Sequence, residues 1–162
     1  MYEHIRRNIY NLFANRGVRV EVDETVDFPN FCCLKIQYQP EQNLTLIIGK
    51  FTDDVLEILL IAHEFGHIMH YENLSREDAE AAYCAIFASN HLGLENISPE
   101  SKQLVVGIEK RASEYAFSLL SVLGSDETIL SRAKETYDEW IRGYLKKTGL
   151  SESVTILASS HE

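Results

Sequence analysis

His63, Glu64 and His67 sit inside the stretch LLIAHEFGHIMHY, Leu59 to Tyr71, which opens as an apolar run. Ionisable side chains in such surroundings need partners for their polar atoms. Two histidines four apart on a helix stand one turn above each other on one face, where they can share a metal ion. Glu64 follows His63 around the helix, so it points beside the metal rather than at it. That is the place for a general base acting on metal-bound water, the chemistry of metal-assisted hydrolysis. Given the chain's own His and Glu content, a chance match to this pattern has a probability of about two in a hundred. That favours the chemical reading over the alternative, two hydrogen-bonded core histidines.

A catalytic zinc takes three protein ligands and keeps one position open. His70 lies seven residues beyond His63, which displaces it by roughly 10 Å along a straight helix. Metal–nitrogen bonds are only about 2 Å. No Gly or Pro follows His67 to break the helix, so His70 is expected to pack rather than to bind. The third ligand must come from another element. In GIEKRASEYAFSLL, Gly107 to Leu120, a second helical stripe can be read. Val105, Ala112, Ala116, Leu119 and Leu123 share one side, and Glu109 falls within that stripe near its edge. Glu114 falls on the opposite, polar face with Lys110 and Ser118. A carboxylate on a buried face is costly unless it is paired or binds a metal. Glu109 is therefore the best candidate ligand, with an ion pair to Arg or Lys as the alternative. Two imidazoles and a carboxylate are a standard catalytic zinc set, so one Zn2+ per chain is expected.

The elements that must carry these residues follow from periodicity and capping. Residues 3–16 read as a helix stopped near Gly17. Three strand candidates follow: Val18–Val22, which alternates as a half-buried strand would, Phe31–Gln39, and Leu44–Lys50. The turn PEQN between the last two suggests a hairpin. Thr52 and Asp53 open the helix that carries His63, from about Asp53 to Tyr71. Ser75 caps a further helix closed by Gly93. Pro99 takes a first helical position in the next, which runs to about Leu123. A last helix, from about Asp126 to Thr148, buries Ile129, Ala133, Tyr137, Trp140, Ile141 and Tyr144 along one stripe. The Ser-rich tail from Leu150 is expected to fray. The fold class is α+β: a small antiparallel sheet followed by a mostly helical bundle, in one domain over residues 1–162.

A helix carrying AHEFGHIMH, preceded by a strand and followed by a helix carrying EKRASEYAFSLL, resembles the ImmA/IrrE family of zinc metallopeptidases. His-Glu-x-x-His on a helix is the zincin signature. The family's second motif is Glu-x-x-Ala-(Asn/Asp/Ser)-x-(Phe/Tyr)-Ala, matched in order by Glu109, Ala112, Ser113, Tyr115 and Ala116. The resemblance covers roughly residues 44–120. It implies His63, His67 and Glu109 as metal ligands and Glu64 as catalytic base. It also implies a soluble protease acting on a helix-turn-helix repressor of a phage, mobile element or stress response. Two features depart from the family pattern: an extra helix between the motifs, and no Pro after Leu120. An oxyanion donor is usual in such chemistry, and Tyr71, Tyr83, His91 and Tyr115 are candidates. The alternative functions are a toxin or phage processing protease, and a zincin-fold protein that grips a regulator without cutting it. The intact Glu64 weighs against the latter.

Composition bounds the remaining classes. A net charge of −10 argues against a nucleic-acid-binding surface as the main function. No signal-peptide pattern is read at the N-terminus, and VLEILLIA, interrupted by Glu57, is too short to span a bilayer. Three cysteines, Cys32, Cys33 and Cys84, favour reduced thiols and a cytoplasmic location. Cys32 and Cys33 point to opposite faces of a strand, one core and one surface, rather than forming a metal pair.

Overall fold

The computed structural model describes residues 2–23, 25, 30–35 and 44–151. Among the described residues, five helices accompany a three-stranded sheet, an α+β arrangement. Helix α1 spans Glu3–Asn15, and strands β1, β2 and β3 span Arg19–Val22, Cys32–Lys35 and Thr45–Ile48. Helices α2 (Asp54–Glu72) and α3 (Arg76–Leu92) follow, then a single 3-10 turn at Leu94–Asn96. Helices α4 (Pro99–Val122) and α5 (Glu127–Thr148) come last among the described residues. The PEQN turn, the distal half of the second strand candidate and the tail beyond Ser151 lie outside the described residues.

The sheet departs from expectation in two ways. Its order is β1-β3-β2; β2 pairs with β3 antiparallel, as a hairpin should, but β1 pairs with β3 in parallel. The sheet is therefore mixed. An alternating pattern reads the same in both directions, so it carries no information about strand polarity. Nor is β1 half-buried: all four of its residues are exposed, with Val22 at 63%. Alternation marks two faces but does not say that either is covered. Val18, just before the strand, takes the buried position instead.

The helix boundaries follow their caps. The Asp53 carboxylate accepts from the N–H groups of Val55 and Leu56, both at 3.0 Å, and Ser75 caps α3 through Asp78 N–H. Ser98 and Asp126 cap α4 and α5 in the same way. Such side-chain acceptors satisfy amides that no helical carbonyl can reach. Ile5, Ile9 and Phe13 of α1, Leu34 and Leu46 of the sheet, and Ile58, Leu59, Ile61 and Phe65 of α2 form the main core. Ala116 and Leu120 of α4 and Ile129 and Ala133 of α5 close it from the other side. Glu57, the charge that interrupts the apolar run, is buried but partnered: Tyr10 donates to it at 2.7 Å and Arg6 at 3.1 Å. None of the helices among the described residues is long and apolar enough to cross a membrane.

One contact sets the geometry of everything that follows. Gly66 of α2 packs directly on the backbone of α4. A Cβ built at Gly66 would lie 2.1 Å from the Ala112 carbonyl oxygen and 2.9 Å from its carbon. Backbone cannot move aside as a side-chain tip can, so only glycine permits this approach. Gly66→Ala tests it in a way whose sign discriminates. In an unhindered helix the change would stabilise by about 1 kcal/mol. Here the clash should outweigh that and cost about 3 kcal/mol, the upper range of overpacking, measured by urea denaturation. A stabilised variant would show that the helices can separate freely.

Candidate metal centre

The contact at Gly66 and Ala112 brings two sets of side chains to one height. His63 and His67 lie three residues before and one after Gly66. Glu109 and Ser113 lie three before and one after Ala112. His63 Nε2 is 3.1 Å from Glu109 Oε2, and His67 Nε2 is 3.8 Å from Glu109 Oε1. The two imidazoles stand edge to face, with ring centroids 4.8 Å apart. One ligand atom from each of His63, His67 and Glu109 falls within 4.8 Å of the others. Tetrahedral ligands on bonds of about 2.0–2.1 Å lie roughly 3.3–3.4 Å apart, so the three groups could hold one ion with little movement.

Ser113 explains why His63 faces that point as a ligand. Its hydroxyl donates to the Glu109 carbonyl at 2.9 Å. The same oxygen lies 3.3 Å from His63 Nδ1; with its one proton on that carbonyl it can accept from an Nδ1–H, the tautomer in which Nε2 is free to bind a metal ion. That tautomer leaves the Nε2 lone pair facing a carboxylate oxygen. Two acceptors at 3.1 Å repel unless a cation or proton lies between them. The donor set therefore fits a metal ion. The same bond orients the ring, the usual outer support of a ligating histidine.

Electrostatics point the same way. Burial lowers the His67 pKa to about 4, with the Glu109 charge opposing, so the ring is a neutral donor at neutral pH. Burial works to raise the Glu109 pKa, but the neighbouring His63 and His67 outweigh it, and the net shift is downward. Glu64 lies beside the trio. Its Oε2 accepts from the Leu34 N–H at 2.9 Å, an amide of β2 aimed away from the sheet toward α2. Burial is the main cause that lifts the Glu64 pKa, to about 7; Glu109 adds to the rise, while His63 and the Leu34 amide oppose it.

These groups line a cleft of about 1030 Å³. One wall is Cys33 and Leu34 of β2, another is Ile86, Ser89 and Asn90 of α3, and a third comes from α5. Helix α5 reaches the centre itself. The Trp140 ring meets His63 edge to face at 5.4 Å, and the Tyr137 ring lies 5.8 Å from it. Tyr137 donates to the Leu59 carbonyl at 2.8 Å, which ties α5 to α2. Helical spacing marked these aromatics as a core stripe, and nothing in periodicity separates a core face from a site wall.

The other candidates separate cleanly. His70 is outside the trio, with Tyr115 beside it at 6.5 Å between centroids. His91 is exposed and donates to the Phe87 carbonyl at 2.8 Å, and Tyr83 stacks near Phe87. Of the four residues considered as oxyanion donors, only Tyr71 lines the cleft. Glu114 is exposed and pairs with Arg111 at 2.8 Å, as a solvated face requires. Cys32 is partly buried and Cys33 exposed.

Compared with protein-family models, curated proteins and solved structures, the chain matches none. The geometry makes its own test of the ligands. Glu109→Ala removes one of three donors and should abolish zinc uptake, measured by elemental analysis after dialysis against zinc. Glu114→Ala, five residues further along the same helix, should bind one zinc per chain. The reverse pattern would refute the assignment.

Proposed function

We propose that this chain is a zinc-dependent endopeptidase of narrow specificity whose substrate is a helix-turn-helix repressor of a phage, mobile element or stress response. The observation that carries the enzymatic part is the convergence of His63, His67 and Glu109 with a buried carboxylate, Glu64, set beside them in one open cleft. The choice of a repressor rests on the resemblance of the two motifs to their family. The cleft volume lies at the upper limit for small-ligand sites, which suits a stretch of polypeptide.

His63, His67 and Glu109 would hold the ion, and zinc bound there supplies a Lewis acid and lowers the pKa of its water to about 7. The remaining work falls to the chain. Glu64 is fixed by the Leu34 amide on one oxygen, which leaves the other to take a proton from water entering the cleft. A carboxyl whose pKa sits near neutrality can accept that proton and return it to the departing amine. The apolar walls around it, Leu60, Val105, Ile108 and Trp140, keep bulk water from levelling its basicity.

Glu64→Gln keeps size and hydrogen-bonding capacity but cannot take the proton. It should retain one zinc, since Glu64 is not a ligand, while hydrolysis falls by roughly 10²–10⁴-fold. The variant should therefore hold its substrate uncut. Pull-down with it from the source cells, followed by mass spectrometry, should return a helix-turn-helix repressor that the wild type cleaves at one or a few sites. Recovery of many unrelated unfolded proteins would point to a general protease. A partner bound by the wild type and never cut would make the chain a binding protein.

A further inference from the structure

Helix α5 carries a glycine that the fold does not require. Gly143 lies in the interior of Glu127–Thr148, where glycine is the least favourable residue after proline. Its backbone is ordinary helix; the glycines with positive φ are Gly17, Gly93, Gly124 and Gly149. Nor does another element press on it. A Cβ built at Gly143 meets nothing within 4 Å, whereas one at Gly66 would strike the backbone of α4. Conformation and packing within the chain therefore leave Gly143 unexplained. Its place does not: Gly143 lines the cleft that holds His63, Glu64, His67 and Glu109. The residues one turn to either side are charged. Glu139 and Lys147 line the same cleft and are exposed, and neither has an ion-pair or hydrogen-bond partner among the described residues. Eight residues of helix set them about 12 Å apart along the axis, too far to pair with each other. Along this wall α5 thus presents a carboxylate, a gap and an ammonium in a row.

We infer that this wall selects the substrate: an extended peptide segment crosses the cleft over Gly143, with a basic side chain toward Glu139 and an acidic one toward Lys147. The inference rests on the peptidase reading proposed above. That reading calls for an extended segment, because a carbonyl inside a helix is engaged by the amide four residues on. An extended chain rises about 3.3 Å per residue, so the two charges are expected three or four positions apart. The reverse order would set like charges against each other at both ends, which rejects the wrong peptide as well as favouring the right one. Gly143 lacks the side chain that would hold the segment away from the helix.

The test is selection from a displayed library of random dodecapeptides by the Glu64→Gln protein incubated with zinc, followed by fluorescence anisotropy on the selected peptides. Their sequences should carry a basic and an acidic residue three or four positions apart, in one order. Exchanging the two charges, Glu139→Lys with Lys147→Glu, should select the opposite order. Gly143→Leu fills the gap. It should raise the thermal midpoint by a few degrees, since leucine is the better helix former at an unhindered site, and leave zinc content at that of its parent. It should nonetheless bind the parent's peptides at least about 10-fold more weakly, because the new side chain occupies their path. Selected peptides without a charge order, or an order that survives the exchange, would overturn the inference. So would a Gly143→Leu protein that binds the parent's peptides within about twofold, or a library that yields no peptide above background. Peptides bound in the expected order that the wild type never cuts would uphold this inference and sink the peptidase reading.

Discussion

The backbone contact between Gly66 and Ala112 is the constraint on which the site depends. A helix pair separated by side chains would leave His63 and Glu109 too far apart to share an ion. Here α2 rests on the carbonyl of α4, and the residues on either side of the contact are brought into register. His63 and His67 flank Gly66 at the same offsets at which Glu109 and Ser113 flank Ala112. A single small residue thus fixes the height, the separation and the pairing of four functional side chains. The main core supports this arrangement from one side through Phe65, Ala116 and Leu120. Helix α5 braces it from the other through Tyr137 and Trp140.

Three buried or nearly buried carboxylates share this part of the molecule, and their surroundings assign them different work. Glu57 receives a phenol and a guanidinium and is a tie between α1 and α2. Glu64 receives one backbone amide, so it keeps a free oxygen and a pKa lifted toward neutrality. Glu109 faces two imidazoles, His63 at 3.1 Å and His67 at 3.8 Å. The first is satisfied within the protein. The second is poised to accept a proton. The third is placed to help hold a cation. Burial alone would push the Glu64 and Glu109 pKa values upward; their partners leave the first raised and the second lowered.

The helices and the convergence of His63, His67 and Glu109 were legible in the sequence because their signals are local. Asp53, Ser75, Ser98 and Asp126 cap where capping chemistry places them. The four-residue spacing of His63 and His67 fixes their common face without reference to the rest of the fold. Glu109 was legible for a related reason: its phase on α4 differs from that of Glu114, and only one of them meets α2. The role of Gly66 could be suspected from its place between Glu64 and His67, though its partner could not. What escaped were the long-range relations. The parallel pairing of β1 with β3 and the exposure of Val20 and Val22 depend on which elements cover the sheet. The Leu34 amide that holds Glu64 belongs to a strand thirty residues away. Tyr144 and Trp140 read as core because the walls of this cleft are made of the same residue types as a core.

The proposed centre has two imidazoles and one carboxylate from two helices binding a single zinc ion with no thiolate. X-ray absorption at the zinc edge, on protein purified without chelator and loaded to saturation, tests it most directly. The expected result is one zinc per chain, with two imidazole nitrogens at about 2.0–2.1 Å and oxygens filling the remaining positions. A sulfur shell at about 2.3 Å would put Cys33 of the cleft wall in the ligand set, and protein that takes up no zinc would leave it without a metal. Either result would contradict a zinc centre built from His63, His67 and Glu109.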